Sequence, residues 1–120
     1  MSTHPESISV NDRTYAWPSR PLVVVCIDGS QPEYMEQAIK DGHMPFLEKA
    51  LGNGADLRAD CVVPSFTNPN NLSIVTGVPP VVHGISGNYF LDPDTGDEVM
   101  MNDPKFLRTE TIFQAFHDAG

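Results

Sequence analysis

The sequence has 120 residues, with 16 acidic against 7 basic side chains and a net charge of −9. That sign disfavours nucleic acid and anionic membranes, which attract basic surfaces, although a bound metal can reverse the local field for an anionic substrate. Hydrophobic residues at 40% suit a globular chain of one domain at most.

Residues 1–6 read as a loose tail. Ile8 to Trp17 alternate around Asn11-Asp12, which predicts a small hairpin ended by Pro18 and Pro21. Residues 1–20 are thus a tail and hairpin ahead of the main body, 21–120. They lack an apolar signal-peptide core, and no run reaches the ~18 apolar residues of a membrane span, so a soluble cytoplasmic protein is expected.

Leu22–Ile27 (LVVVCI) is a continuous apolar, β-branched run, read as an interior strand of a parallel sheet with Asp28 at its carboxyl end. Cys26 lies inside that run and is expected as a buried thiol; with Cys61 it forms no metal or redox motif. Ser30-x-x-Glu33 predicts a capping box opening a helix with Met35, Ala38 and Ile39 on one face, broken at Gly42. Phe46, Leu47, Ala50 and Leu51 mark a second helix, ending at Gly52 or Gly54. Ala55 to Val63 reads as a second strand. The pattern is a β-α-β crossover and predicts an α/β fold: a mostly parallel sheet flanked by helices, with sites beyond the carboxyl ends of strands.

The most informative stretch is VVPSFTNPNNLSIVTGVPPVVHGISGN, from Val62 to Asn88. Asn68 is expected to cap a helix with Pro69 as its first residue, running to Thr76 and stopped by Gly77 and Pro79-Pro80. Thr67 then lies at the positive end of a helix dipole, where N–H groups lacking partners suit an anion such as phosphate. Its hydroxyl is a candidate nucleophile if its pKa is lowered, and Asp28 is the candidate metal ligand that would help do so. Taken singly, Asp28 is more readily a turn aspartate and Thr67 a capping residue; the pair is the more specific signal. Asn88 is either a turn residue after Gly87 or an amide donor to a phosphoryl oxygen. His83-Gly84 is expected to shape a turn with the ring hydrogen-bonded. Asp92 to Asp97 lacks the EF-hand spacing and reads as a solvated turn before a return strand at Val99 to Met101. Thr109 is expected to cap a last helix carrying Ile112, Phe113, Phe116 and Ala119 on one face.

VVVCIDG followed by PSFTNPNNLSIVTGVPPVVHGISGN resembles the opening of the alkaline phosphatase superfamily, in particular its nucleotide pyrophosphatase/phosphodiesterase-like branch. Within that branch, RTYAWPSRPLVVVCIDGS and NYFLDPDTGDEVMMNDPKFLRTETIFQAFHDAG extend the likeness to enzymes that cleave the carbon–phosphorus bond of phosphonoacetate. The resemblance implies a hydrolase with two Zn2+ ions. In it Asp28 is a zinc ligand, Thr67 is the nucleophile and binds the same zinc, and Asn88 contacts a phosphoryl oxygen. It implies a phosphothreonine intermediate and release of acetate and phosphate. The remaining zinc ligands match no residue of this sequence, which therefore reads as an N-terminal part of such an enzyme, incomplete at its C-terminus. A phosphodiesterase or nucleotide pyrophosphatase, or a non-catalytic fragment, are the alternative readings. The expected partner is a small phosphonate rather than nucleic acid or membrane, and a homodimer is left open.

Overall fold

Asn11 (φ 50°) and Asp12 (φ 61°) both adopt the left-handed conformation. A two-residue type I′ turn requires it, and Asn and Asp tolerate it better than most residues. The turn joins β1 (Ser7–Val10) to β2 (Arg13–Ala16), paired antiparallel with Ser7 opposite Ala16 and Val10 opposite Arg13. The computed structural model describes residues 4–120. They divide into two compact units: the chain up to Leu22 together with Cys61–Gly120, and Val23–Asp60.

In the first unit Ile8 and Val10 point to one side of β1 and join Ile85 and Met101 in a small core that also buries His83 and Thr76. The expected tail over residues 1–6 lies partly outside the described residues. From residue 4 the chain is held: the His4 ring stacks on Trp17 at 4.4 Å, and the Trp17 N–H donates to the Glu6 carbonyl at 2.8 Å. Helix α3 (Thr67–Thr76) is followed by the single turn α4 (Pro80–His83) and by the hairpin β3 (Tyr89–Leu91) and β4 (Glu98–Met100). Asp92 Oδ1 accepts from the Asp94 N–H at 2.9 Å, and the loop closes as the expected turn. Helix α5 (Ile112–Ala119) packs against β1, and Phe116 meets Trp17 with ring centroids 5.1 Å apart.

The second unit holds α1 (Pro32–Lys40) and α2 (Pro45–Asn53). Met35, Ala38 and Ile39 form the half-buried face of α1, as their spacing predicts. Met35, Ile39, Leu47 and Leu51 line a cavity of about 390 Å³ within this unit.

Several sequence expectations need correction. Leu22–Ile27 and Ala55 to Val63 form no strand; both sheets among the described residues are two-stranded and antiparallel, so no parallel sheet and no β-α-β crossover is formed there. A strand exists only through its ladder partners, and Leu22, Val23, Val24, Val25 and Ile27 remain 57% to 81% exposed. Cys26 is likewise exposed rather than buried. The capping box at Ser30 does not form. Proline at position 32 starts α1 and pushes Gln31 into an extended conformation (φ −122°, ψ 147°), so the helix begins too late for Ser30 to cap it. Thr109 does not cap α5 either. Thr111 does, accepting from the Gln114 N–H at 3.2 Å, while Thr109 Oγ1 is buried without a hydrogen-bond partner among the described residues.

The first hairpin fastens the far end of α3. Asn11 Nδ2 donates to the carbonyls of Thr76 (2.9 Å) and Glu110 (2.7 Å), and Arg13 Nε donates to the Gly77 carbonyl at 2.9 Å. Asn11→Gly keeps the left-handed turn but deletes both amide bonds. It should lower stability by roughly 1–2 kcal/mol, at about 1 kcal/mol per hydrogen bond, read as a lower denaturant midpoint with an unchanged slope.

Candidate active site at the start of helix α3

Helix α3 begins two residues earlier than the sequence suggests. Phe66 is the extended residue before it (φ −85°, ψ 158°) and Thr67 is its first helical residue, so Asn68 lies inside the first turn instead of capping it. Pro69 fits there because the N–H it lacks would have no partner in the helix. Phe66 offers no capping side chain. The missing acceptor arrives from a distance: Asn88 Oδ1 accepts from the Asn68 N–H at 3.0 Å. Because that oxygen faces an N–H, the amide NH2 of Asn88 is left as its donor end.

Thr67 is exposed at this helix start, and Asn88 is half-buried beside it in the same compact unit. The structure thus brings Thr67 and Asn88 to one place. The row of open N–H groups expected there is shorter, however, since Asn88 already takes the one on Asn68 and Pro69 has none. Asp28 is exposed and belongs to the other unit, just before Gly29 with its left-handed φ of 68°. Among the described residues no three His, Cys, Asp or Glu side chains cluster as a metal site.

The sequence does not reveal what holds this helix from inside. His83 is fully buried. Its Nδ1 accepts from the Ile85 N–H at 3.1 Å, and its Nε2 lies 2.9 Å from Ser73 Oγ. Ser73 spends its own proton on the Pro69 carbonyl at 2.8 Å, so Nε2 carries the ring proton and the imidazole is neutral. The Arg108 N–H closes the other side on the His83 carbonyl at 3.0 Å. The hydrogen-bonded turn expected of His83-Gly84 is what forms. Ser73 as its partner could have been suspected only from its position on the helix face four residues after Pro69. His4, His43 and His117 take no part in this site.

Residues 22–120 match the family model described as type I phosphodiesterase / nucleotide pyrophosphatase. The chain belongs to that family. An ectonucleotide pyrophosphatase/phosphodiesterase of Caenorhabditis elegans is 36% identical over 103 residues, covering 80% of this chain and 13% of that protein. Ectonucleotide pyrophosphatase/phosphodiesterase 1 of Saccharomyces cerevisiae is 33% identical over 110 residues, covering 81% and 14%. Among solved structures, phosphonoacetate hydrolase from Sinorhizobium meliloti is 60% identical. It covers 95% of this chain and 28% of its own, with a TM-score of 0.88 in its complex with phosphonoformate and 0.89 with phosphonoacetate. The α/β fold of this chain is therefore similar to that of part of a phosphonoacetate hydrolase. The chain spans less than a third of the length of these relatives.

Burial pushes the His83 imidazole below its ordinary pKa, against a smaller opposing effect of the Pro69 carbonyl. The unfolded chain therefore takes up a proton at higher pH than the folded one. Stability should be full above the ordinary imidazole value of about 6.5 and fall as pH drops from there toward the lower folded value. Denaturant midpoints measured from pH 8 to pH 5 should decline across that window, and the decline should flatten in His83→Gln.

Proposed function

We propose that this chain carries the nucleophile of a zinc-dependent hydrolase that converts phosphonoacetate to acetate and phosphate. The observation that supports this most is the 60% identity, over 95% of the chain, to an enzyme of that name solved with phosphonoacetate. The neighbouring positions of Thr67 and Asn88 at one helix start agree with it. In this reading Thr67 Oγ attacks phosphorus and the carbon–phosphorus bond breaks. The electron pair goes to the carbon, which takes a proton and leaves as acetate. Water then attacks the phosphothreonine, and the phosphorus–oxygen bond to Thr67 breaks to give phosphate. The Asn88 NH2 donates to a phosphoryl oxygen as its charge grows, the kind of fixed dipole that lowers a barrier most.

Two zinc ions are part of the reading. Asp28 and Thr67 are each oxygen donors of the kind zinc accepts, both on exposed positions. Zinc, where bound, would favour loss of the Thr67 proton and offset the charge of the phosphonate. A small, water-soluble substrate handled in the cytoplasm fits the acidic chain, and no helix among the described residues is long and apolar enough to cross a membrane. Hydrolysis of a phosphodiester or nucleotide is the second reading, favoured by the match to the phosphodiesterase family over residues 22–120.

The test is phosphate release by the full-length enzyme. Thr67→Ala should lower kcat on phosphonoacetate by at least roughly a thousandfold, as expected on losing a covalent nucleophile. Its melting temperature should stay near that of the parent, because Thr67 is exposed. Thr67→Ser should keep part of the rate. Near-normal turnover by the alanine variant would remove Thr67 from the mechanism, and faster hydrolysis of a nucleotide diester than of phosphonoacetate would favour the second reading. The 120-residue chain alone, with or without added zinc, should release no phosphate, since two oxygen donors do not complete a site.

A further inference from the structure

Three hydrogen bonds close a ring at the foot of the second hairpin. The Asn68 N–H donates to Asn88 Oδ1 at 3.0 Å, the Asn68 side-chain Nδ2 donates to the Met101 carbonyl at 3.2 Å, and the Met101 N–H donates to the Asn88 carbonyl at 2.8 Å. One residue of α3 thus grips both strands' ends of the segment that carries Asn88. Met101 is buried and Asn68 and Asn88 are half-buried, so these bonds are partly shielded from competing water. The side-chain NH2 of Asn68 donates to the Met101 carbonyl at the end of the second hairpin.

We propose that Asn68 is a positioning residue that fixes the Asn88 amide relative to Thr67. This rests on the phosphonate-hydrolase reading of Thr67 and Asn88. Asn68 and Thr67 are consecutive on one helix turn, so whatever holds Asn88 to Asn68 also sets its distance from the Thr67 hydroxyl. Without the Met101 bond the backbone N–H of residue 68 still offers its donor, but the segment 88–101 is tied to the helix at one point instead of two and can swing. A donor displaced by a fraction of an ångström from a developing oxyanion loses most of its benefit in the transition state while still touching the ground state.

The experiment is a double-mutant cycle in the full-length enzyme, with phosphonoacetate as substrate and phosphate release as the signal. Asn68→Ala should lower kcat by about tenfold, the scale of a modest misplacement of a catalytic group, with KM changed by less than about twofold. In an Asn88→Ala background the same change should have almost no further effect, because the residue it positions is gone. Additive effects, a rise in KM with kcat intact, or a near-normal kcat in Asn68→Ala would each overturn the proposal. If Asn68→Ala does not fold, Asn68→Ser carries the same cycle. Amide hydrogen exchange provides a readout independent of turnover: exchange at residue 68 and at Met101 should quicken in the variant, and unchanged exchange at both would refute the clamp. Normal turnover by Thr67→Ala and Asn88→Ala, with quickened exchange in Asn68→Ala, would instead locate the failure in the functional reading.

Discussion

A single amide oxygen, Asn88 Oδ1, does for α3 what its own sequence cannot. The residue before the helix is Phe66, which has no side chain able to accept from the first turn. A helix start without such an acceptor loses on the order of 1 kcal/mol, and the oxygen of Asn88 supplies it from a loop twenty residues on. The other end is fastened just as remotely, by Asn11 and Arg13 on the Thr76 and Gly77 carbonyls. The middle is held by the buried His83 through Ser73. Every one of these restraints is long-range. The helix that presents Thr67 is set in place by the first hairpin, the turn at residues 80–84 and the second hairpin together.

This explains why polar residues gather where an ordinary core would be apolar. His83 and Thr76 are buried alongside Ile8, Val10, Ile85 and Met101. Thr76 Oγ1 returns to the Leu72 carbonyl at 2.6 Å and Ser73 Oγ to that of Pro69, so these two hydroxyls of α3 are satisfied within the helix. Buried polar groups satisfied this way are directional, whereas methyl groups are not. A helix fixed by directional bonds holds the backbone of its first residue, Thr67, in one orientation.

What the sequence disclosed followed from how local each signal is. The Asn11-Asp12 turn, the helix stop at Gly77, the His83-Gly84 turn and the Asp92–Asp97 loop were all readable, because each depends on a few adjacent residues. The helix starts were readable to within a residue or two; proline fixed the start of α1 where a capping box seemed to compete, and Thr111 outdid Thr109 by lying at the right offset from the Gln114 N–H. The strands at Leu22–Ile27 and Ala55 to Val63 were not, since apolarity marks only what could be buried, and pairing needs partners elsewhere. Thr67 was singled out by its expected place at a helix start and Asn88 as an amide following Gly87, and the two prove to share one helix start. The bond joining Asn68 to Asn88 left no trace in spacing.

The run Leu22–Ile27 has a bearing on how the chain survives its own synthesis. Six apolar residues rich in β-branched side chains, uncharged and free of proline, form the kind of segment that stacks into intermolecular sheets, and here five of its large apolar side chains face solvent. Pro21 stands immediately before it and Asp28 immediately after. Proline cannot donate to a growing ladder, and a carboxylate resists being stacked on copies of itself, so the pair brackets the run as gatekeepers do in other proteins. Asp28 thereby sets a charge at the border of the run, and replacing it with a neutral residue would remove that charge.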